Sequence, residues 1–158
     1  MTETLAMMPA WYLIGLVTVL GLLLGSFLNV CIVRWPAEES VVSPRSRCPK
    51  CGTLIAWYDN IPVVSWLWLR AKCRHCALPI PVRYPLVEVA VGVVWGWAFW
   101  QHGASVEALR AAALFTILIG IAMTDAREYI IPDEFSVGGA VIGLLLAFAG
   151  GALPWPEA

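Results

Sequence analysis

The sequence predicts an all-α, polytopic membrane protein of about four transmembrane helices, with a small four-cysteine insert on one side of the membrane. Three observations carry that prediction. Of the 158 residues, 60% are hydrophobic and 13% are charged, about half the roughly 25% charged content of soluble domains. The mean hydropathy is +0.77, which is more apolar surface than a soluble chain of this size can hide, so lipid is its solvent. Eight of the ten Lys and Arg residues and four of the five Cys fall within residues 34–83. The net charge of -1 conceals that asymmetry.

No charge interrupts the chain from Thr4 to Val33. A bilayer crossing takes about 20 apolar residues, so residues 11–33 are the expected first span. Gly21, Gly25 and Ser26 give it a stripe of small residues against which another helix can pack closely. Glu3, the lack of an early Lys or Arg, and the length of the apolar run argue against a cleaved signal, so this helix is expected to be retained. Residues 34–83 hold six of the eleven prolines and most of the positive charge. Such a stretch cannot cross a membrane and reads as a compact insert. Residues 84–100 form a second apolar run, with Glu88 one turn inside it and Trp95, Trp97 and Trp100 placed as an interfacial belt. Glu88 at that position either snorkels to the interface or has a functional role.

After a short turn at residues 101–105 comes the weakest candidate. Residues 111–124 are 14 uncharged positions, about 21 Å of helix. They span only if Glu107 and Arg110 lie in the interface; three residues apart, those two can also pair on one face. The polar stretch 125–134 precedes a fourth run, residues 135–153. Residues 84–158 thus carry the second to fourth helices. Positive charge prefers the cytoplasmic side, so the insert and the 125–134 stretch are expected there, and both chain ends outside. No internal repeat or low-complexity segment is evident, and nothing calls for a nucleic-acid partner.

Within the insert, Cys48-Pro-Lys-Cys51 is followed after 21 residues by Cys73-Arg-His-Cys76. Two such pairs put four thiolates on two tight turns, the arrangement of a structural zinc site. Arg47, Lys50, Lys72 and Arg74 flank the pairs and offset the charge of four thiolates. Two disulfides are the alternative, disfavoured in a reducing cytoplasm; a membrane thiol-disulfide protein is another, less suited to two symmetric pairs. With four cysteines no open position remains for water or substrate, so the metal holds an insert too small for a sufficient core of its own. His75 is expected to be exposed, and Cys31 to pack as a small apolar residue.

The other chemical feature is Asp125-Ala-Arg-Glu-Tyr-Ile-Ile-Pro-Asp133. A carboxyl at the end of a membrane helix is a functional candidate, and burial there would favour its protonated form. Peptide hydrolysis by carboxyls needs two of them sharing a proton. Asp133 is eight residues on, about 12 Å in a continuous helix, and Pro132 breaks such a helix. A chain reversal would bring the two together, but Asp133 reads better as the N-cap of the fourth helix. The plain alternative for Asp125 is a solvated helix end.

These residues resemble a known family. The run Gly25-Ser26-Phe27-Leu28-Asn29-Val30-Cys31-Ile32-Val33-Arg34 is similar to the start of the bacterial type IV prepilin peptidases. So are the two cysteine pairs, Asn60-Ile-Pro-Val-Val-Ser-Trp-Leu67, Arg83-Tyr-Pro-Leu-Val-Glu88, and Asp125 with Ile131-Pro132-Asp133. Order and spacing agree over residues 21–150. The resemblance implies an integral aspartic endopeptidase of the bacterial inner membrane that removes the basic leader of type IV prepilins and type II secretion pseudopilins at the cytoplasmic face. It also implies N-methylation of the new N-terminus from S-adenosylmethionine in many members. It makes Asp125 the first catalytic aspartate, Pro132 and Asp133 its supporting motif, and Cys48, Cys51, Cys73 and Cys76 the zinc ligands.

Two features depart from the family. Its second aspartate lies in a Gly-x-Gly-Asp motif that this sequence does not contain. The chain is therefore expected to hold one half of the dyad, as an incomplete peptidase domain, as half of a split enzyme whose second polypeptide brings the other aspartate, or as a non-catalytic membrane-anchored adaptor. The family also has glycine two residues before the third cysteine, a position linked with methylation, where Ala71 stands here.

Overall fold

The computed structural model describes residues 9–149. The expectation of a retained N-terminus and the last residues of the fourth run, 150–153, fall outside that range. Within it the chain is all-helical: α1 (Ala10–Arg34), a 3-10 turn (Trp35–Ala37), a second one (Trp57–Asn60), α2 (Val64–Trp68), α3 (Arg83–His102), α4 (Val106–Glu128) and α5 (Asp133–Ala149). α1 ends at Arg34 and α3 begins at Arg83, with residues 35–82 between them.

Two helices are long and apolar enough to cross a bilayer: α1 with its 3-10 extension, and α4. The second is the run that looked weakest. Its 23 residues make about 35 Å of helix, because Ser105 caps its start by accepting a hydrogen bond from the Ala108 amide, and Glu107 and Arg110 are absorbed into the first turns. Those two do pair, at 3.9 Å. Arg110 also donates to the Leu146 and Ala147 carbonyls near the last turn of α5, where a cation meets the negative end of the helix dipole.

α1 and α3 run antiparallel with their backbones in near contact. A Cβ placed on Gly25 would lie 2.7 Å from the Glu88 Cα, and one on Gly92 would lie 2.8 Å from Leu22 Cδ2. Asn29 donates to the Tyr84 carbonyl at 3.0 Å, tying the end of α1 to the start of α3. Gly21 makes room for Trp95, whose indole donates to Thr116 on α4. Trp95 is therefore an interior residue, unlike the interfacial one expected, while Trp97 and Trp100 are exposed. α4 and α5 are also antiparallel: Phe135 packs on Gly120, and Ile117 on Gly139.

The core lies at one end of this bundle, where Leu28, Cys31 and Ile32 of α1, Val87 and Val91 of α3, and Phe135 of α5 are buried together. Cys31 is a packed residue, as its sequence position implied. Trp35 closes the cluster edge-on to Phe135, with ring centroids 4.5 Å apart. The C-termini of α1 and α4 and the N-termini of α3 and α5 thus share one end, which also carries the insert.

Candidate functional site

Each cysteine pair sits on a short knuckle, and the two knuckles are built alike. In the first, the Cys48 amide donates to the Thr53 carbonyl, Gly52 donates back to the Cys48 carbonyl, and an isolated bridge joins Arg47 to Leu54. In the second, Cys73 donates to Leu78, Ala77 donates to Cys73, and the bridge joins Lys72 to Pro79. This is a short internal repeat that the sequence hid, because few residues besides the cysteines and the basic residue ahead of them are shared. Gly52 (φ 69°) and Ala77 (φ 55°) occupy matching left-handed positions.

The four sulfurs, from Cys48, Cys51, Cys73 and Cys76, lie within 4.8 Å of one another, and Cys48 Sγ is 3.6 Å from Cys76 Sγ. Four sulfurs at Zn–S of about 2.3 Å in a tetrahedron stand roughly 3.8 Å apart. The donor set therefore fits zinc with little movement, and its closed coordination fits a structural role. Thr53, with its hydroxyl 3.3 Å from Cys51 Sγ and its amide also nearby, brings that thiol down to about 6. A thiolate available near neutral pH is the form that binds metal. His75 is exposed, as expected.

Ala71 has φ 57°, a conformation that glycine adopts freely and alanine does not. Ala71 therefore costs conformation here that glycine would not.

A cavity of about 490 Å³ separates the insert from the helix ends. Asp59, Trp66, Arg74, Tyr84 and Glu88 line it, with the inner sides of Cys48 and Cys73. Arg74 grips Asp59 through Nε and Nη2 and lies over the Tyr58 ring. Glu88 is buried, and its Oε2 accepts the Val63 amide at 2.7 Å. The charge pattern could have flagged Asp59, the last acid before ten uncharged residues, and Arg74 inside the second pair. Neither stood out beside the cysteines.

Asp125 occupies the last turn of α4, at the same end as the insert. Its side chain is exposed, as is that of Asp133. The burial expected to favour its protonated form is thus not present among the described residues, because α4 ends where the bundle opens. The chain reversal between α4 and α5 is real. Tyr129 turns at φ 57° and the chain re-enters a helix at Asp133. Both carboxyls therefore lie at one end of a helix pair. Asp133 is not the N-cap: the Pro132 carbonyl accepts from Phe135 and Ser136, so Pro132 holds that position and Asp133 begins the helix. A smaller cleft of about 250 Å³ between the end of α1, the start of α3 and the last turns of α4 is lined by Asn29, Arg83, Tyr84, Met123, Ala126 and Arg127, among others, and Asp125 does not line it.

The family model for the bacterial peptidase A24 N-terminal domain matches residues 19–102. A prepilin leader peptidase/N-methyltransferase of Myxococcus xanthus (strain DK1622) is 48% identical over 130 residues, which cover 82% of this chain and 39% of that protein. One from Pseudomonas putida is 39% identical, covering 98% of this chain and 61% of its own length. One from Klebsiella pneumoniae is 35% identical over the whole of this chain and 75% of its own. The chain thus spans from about two fifths to three quarters of these three relatives. No solved structure matches it.

Proposed function

The chain belongs to the bacterial peptidase A24 family, and from that membership we propose that it serves a membrane aspartic endopeptidase. Its substrates would be type IV prepilins and type II secretion pseudopilins, cut between a basic leader and the following apolar helix. The observation that carries this reading is the placement of Asp125 at the same end of the bundle as the basic four-cysteine insert. By the positive-inside preference, that end faces the cytoplasm of a bacterial inner membrane crossed by all four long helices.

In this mechanism Asp125 is one of two acids. One carboxylate takes a proton from water as the water attacks the scissile carbonyl, while the other, protonated, donates to the carbonyl oxygen. This sequence contains no Gly-x-Gly-Asp motif, and we assign the second acid to such a motif, as the family resemblance implies. Zinc on Cys48, Cys51, Cys73 and Cys76 holds the insert in shape. If the chain also takes part in methylating the new N-terminus, S-adenosylmethionine would supply the methyl group. The 490 Å³ cavity is within the range of cofactor pockets.

A cleavage assay on membranes containing the chain, a prepilin and a polypeptide with the Gly-x-Gly-Asp motif tests the reading. Loss of cleavage in Asp125→Asn supports it, and full turnover in that variant overturns it. The exposure of Asp125 favours a second reading, a zinc-binding adaptor. Leader binding without cleavage in every arm would support that one.

A further inference from the structure

Between Asp59 and Arg70 the chain runs for ten residues without a charge, Asn-Ile-Pro-Val-Val-Ser-Trp-Leu-Trp-Leu, inside an insert that is otherwise basic. This segment does not sit above the helix ends. The Val63 amide is bound by Glu88, and Glu88 lies five residues into α3 from Arg83, about 7.5 Å along the axis. Beside Glu88 on the other helix is Gly25, nine residues before α1 ends at Arg34, or about 13 Å. The Val63 amide therefore lies alongside the first turns of α3, level with apolar side chains, and residues 61–69 extend from that point.

The side chains of the segment match that depth. Val64, Leu67 and Trp68 are 58%, 62% and 79% exposed, which makes α2 an uncovered apolar face. Its polar groups are turned inward. The Ser65 amide and hydroxyl both go to the Ile61 carbonyl, Leu67 donates to Val63, Leu69 donates to Ser65, and the Trp66 indole reaches the Ile80 carbonyl. Val63 has φ 61°, a costly conformation for a β-branched residue. It sits in a tight turn in which Val64 donates to the Pro62 carbonyl. Water would satisfy the Val63 amide without help. In lipid that amide must find its partner within the protein, which gives the buried carboxylate of a membrane helix its purpose.

We propose that residues 61–69 insert into the bilayer interface, with Val64, Leu67 and Trp68 among acyl chains and Glu88 as the residue that positions them. The proposal rests on the membrane reading above. Trp57 is then an anchor at headgroup level, and Arg70 and Lys72 reach back to the lipid phosphates. A protein helix on this face would call for small residues at the contact, and the face offers Val, Leu and Trp. Cys73 follows four residues after Leu69, so the metal site is held on the membrane surface beside the bundle end that bears Asp125.

Cysteines introduced one at a time as L67C and W68C in the zinc-loaded full chain, in which the metal shields four of the five native thiols, are labelled with bimane in phosphatidylethanolamine–phosphatidylglycerol vesicles to test the proposal. The parent chain labelled in parallel is the blank. V42C, in the exposed part of the insert, and L118C, on α4, are the references. Labels at 67, 68 and 118 are expected to lose most of their emission to doxyl-labelled lipid and little to iodide, with the reverse at 42. Iodide quenching at 67 and 68, or shielding from both quenchers as under a protein cover, overturns the proposal while 118 still reports lipid. If 118 also ignores the lipid quencher, the membrane reading itself fails. Glu88→Ala is expected to move the label at 67 from lipid to iodide quenching. Glu88→Gln, which keeps a carbonyl oxygen for Val63, leaves it in lipid. Unchanged quenching in Glu88→Ala would remove the positioning role.

Discussion

In the insert, four sulfurs from two knuckles meet within 4.8 Å. At the turn between α4 and α5, Asp125 and Asp133 stand exposed on two sides of a chain reversal. Both sites lie at one end of the same bundle. The difference lies in what each chemistry needs. A four-thiolate metal site is closed, and a hydrogen-bonded knuckle presents each pair of ligands locally. A proton-sharing acid pair needs two carboxyls brought close in a dry setting, which helix packing must supply. Short-range geometry gathers the four sulfurs, while the two carboxyls stand exposed at a helix end.

The largest expected effect breaks the first half of that comparison. Cys73→Ser should reduce bound zinc from about one per chain to none, and the insert should become sensitive to protease. Metal analysis and limited proteolysis of the purified chain check it. Retention of zinc would show that three thiolates suffice and that the site is not closed. Next in size is Gly25→Val, which forces a side chain against the Glu88 backbone. Overpacking of this kind costs about 1–3 kcal/mol, and it should lower the melting temperature in detergent while leaving zinc bound. Loss of zinc in this variant would mean that the insert depends on the bundle for its fold. A smaller gain is expected from Ala71→Gly. Relief of the left-handed conformation is worth about 1 kcal/mol, visible as slower zinc loss to a chelator.

Much of this arrangement was legible in the sequence, and the limits have physical causes. The helix ends at Arg34 and Arg83 could be read because charge density changes abruptly there. The metal cluster could be read because two Cys-x-x-Cys pairs carry their geometry in their spacing. The small-residue stripe of α1 was visible as Gly21 and Gly25, but its consequence for Trp95 was not, since an inward tryptophan depends on the space that a neighbouring helix leaves. The length of α4 was underestimated because counting uncharged residues discards end residues whose charges are paired. The exposure of Asp125 was beyond reach, because burial at a helix end is decided by what packs over it. The N-cap of α5 fell one residue earlier than expected, since the Pro132 carbonyl accepts the first helical bonds.

The smallest effect separates two kinds of charge within the insert. The Arg74 guanidinium, bonded to both oxygens of Asp59, holds that carboxyl below its usual range. A carboxylate with a lowered folded value stabilises the fold above its unfolded value, and this contribution disappears as pH falls through the folded value. Asp59→Asn should therefore weaken the insert by about 1 kcal/mol or less, since Arg74 is partly exposed and solvent screens the pair. The gap between wild type and variant should stay constant from pH 8 to about 5 and close only below about 4. Zinc release on acidification comes from protonation of its ligands and not of Asp59, so it should appear in both proteins. A gap that closed between pH 8 and 6 would tie Asp59 to the metal cluster, and the insert would then be one electrostatic unit instead of a metal site with an independent ion pair.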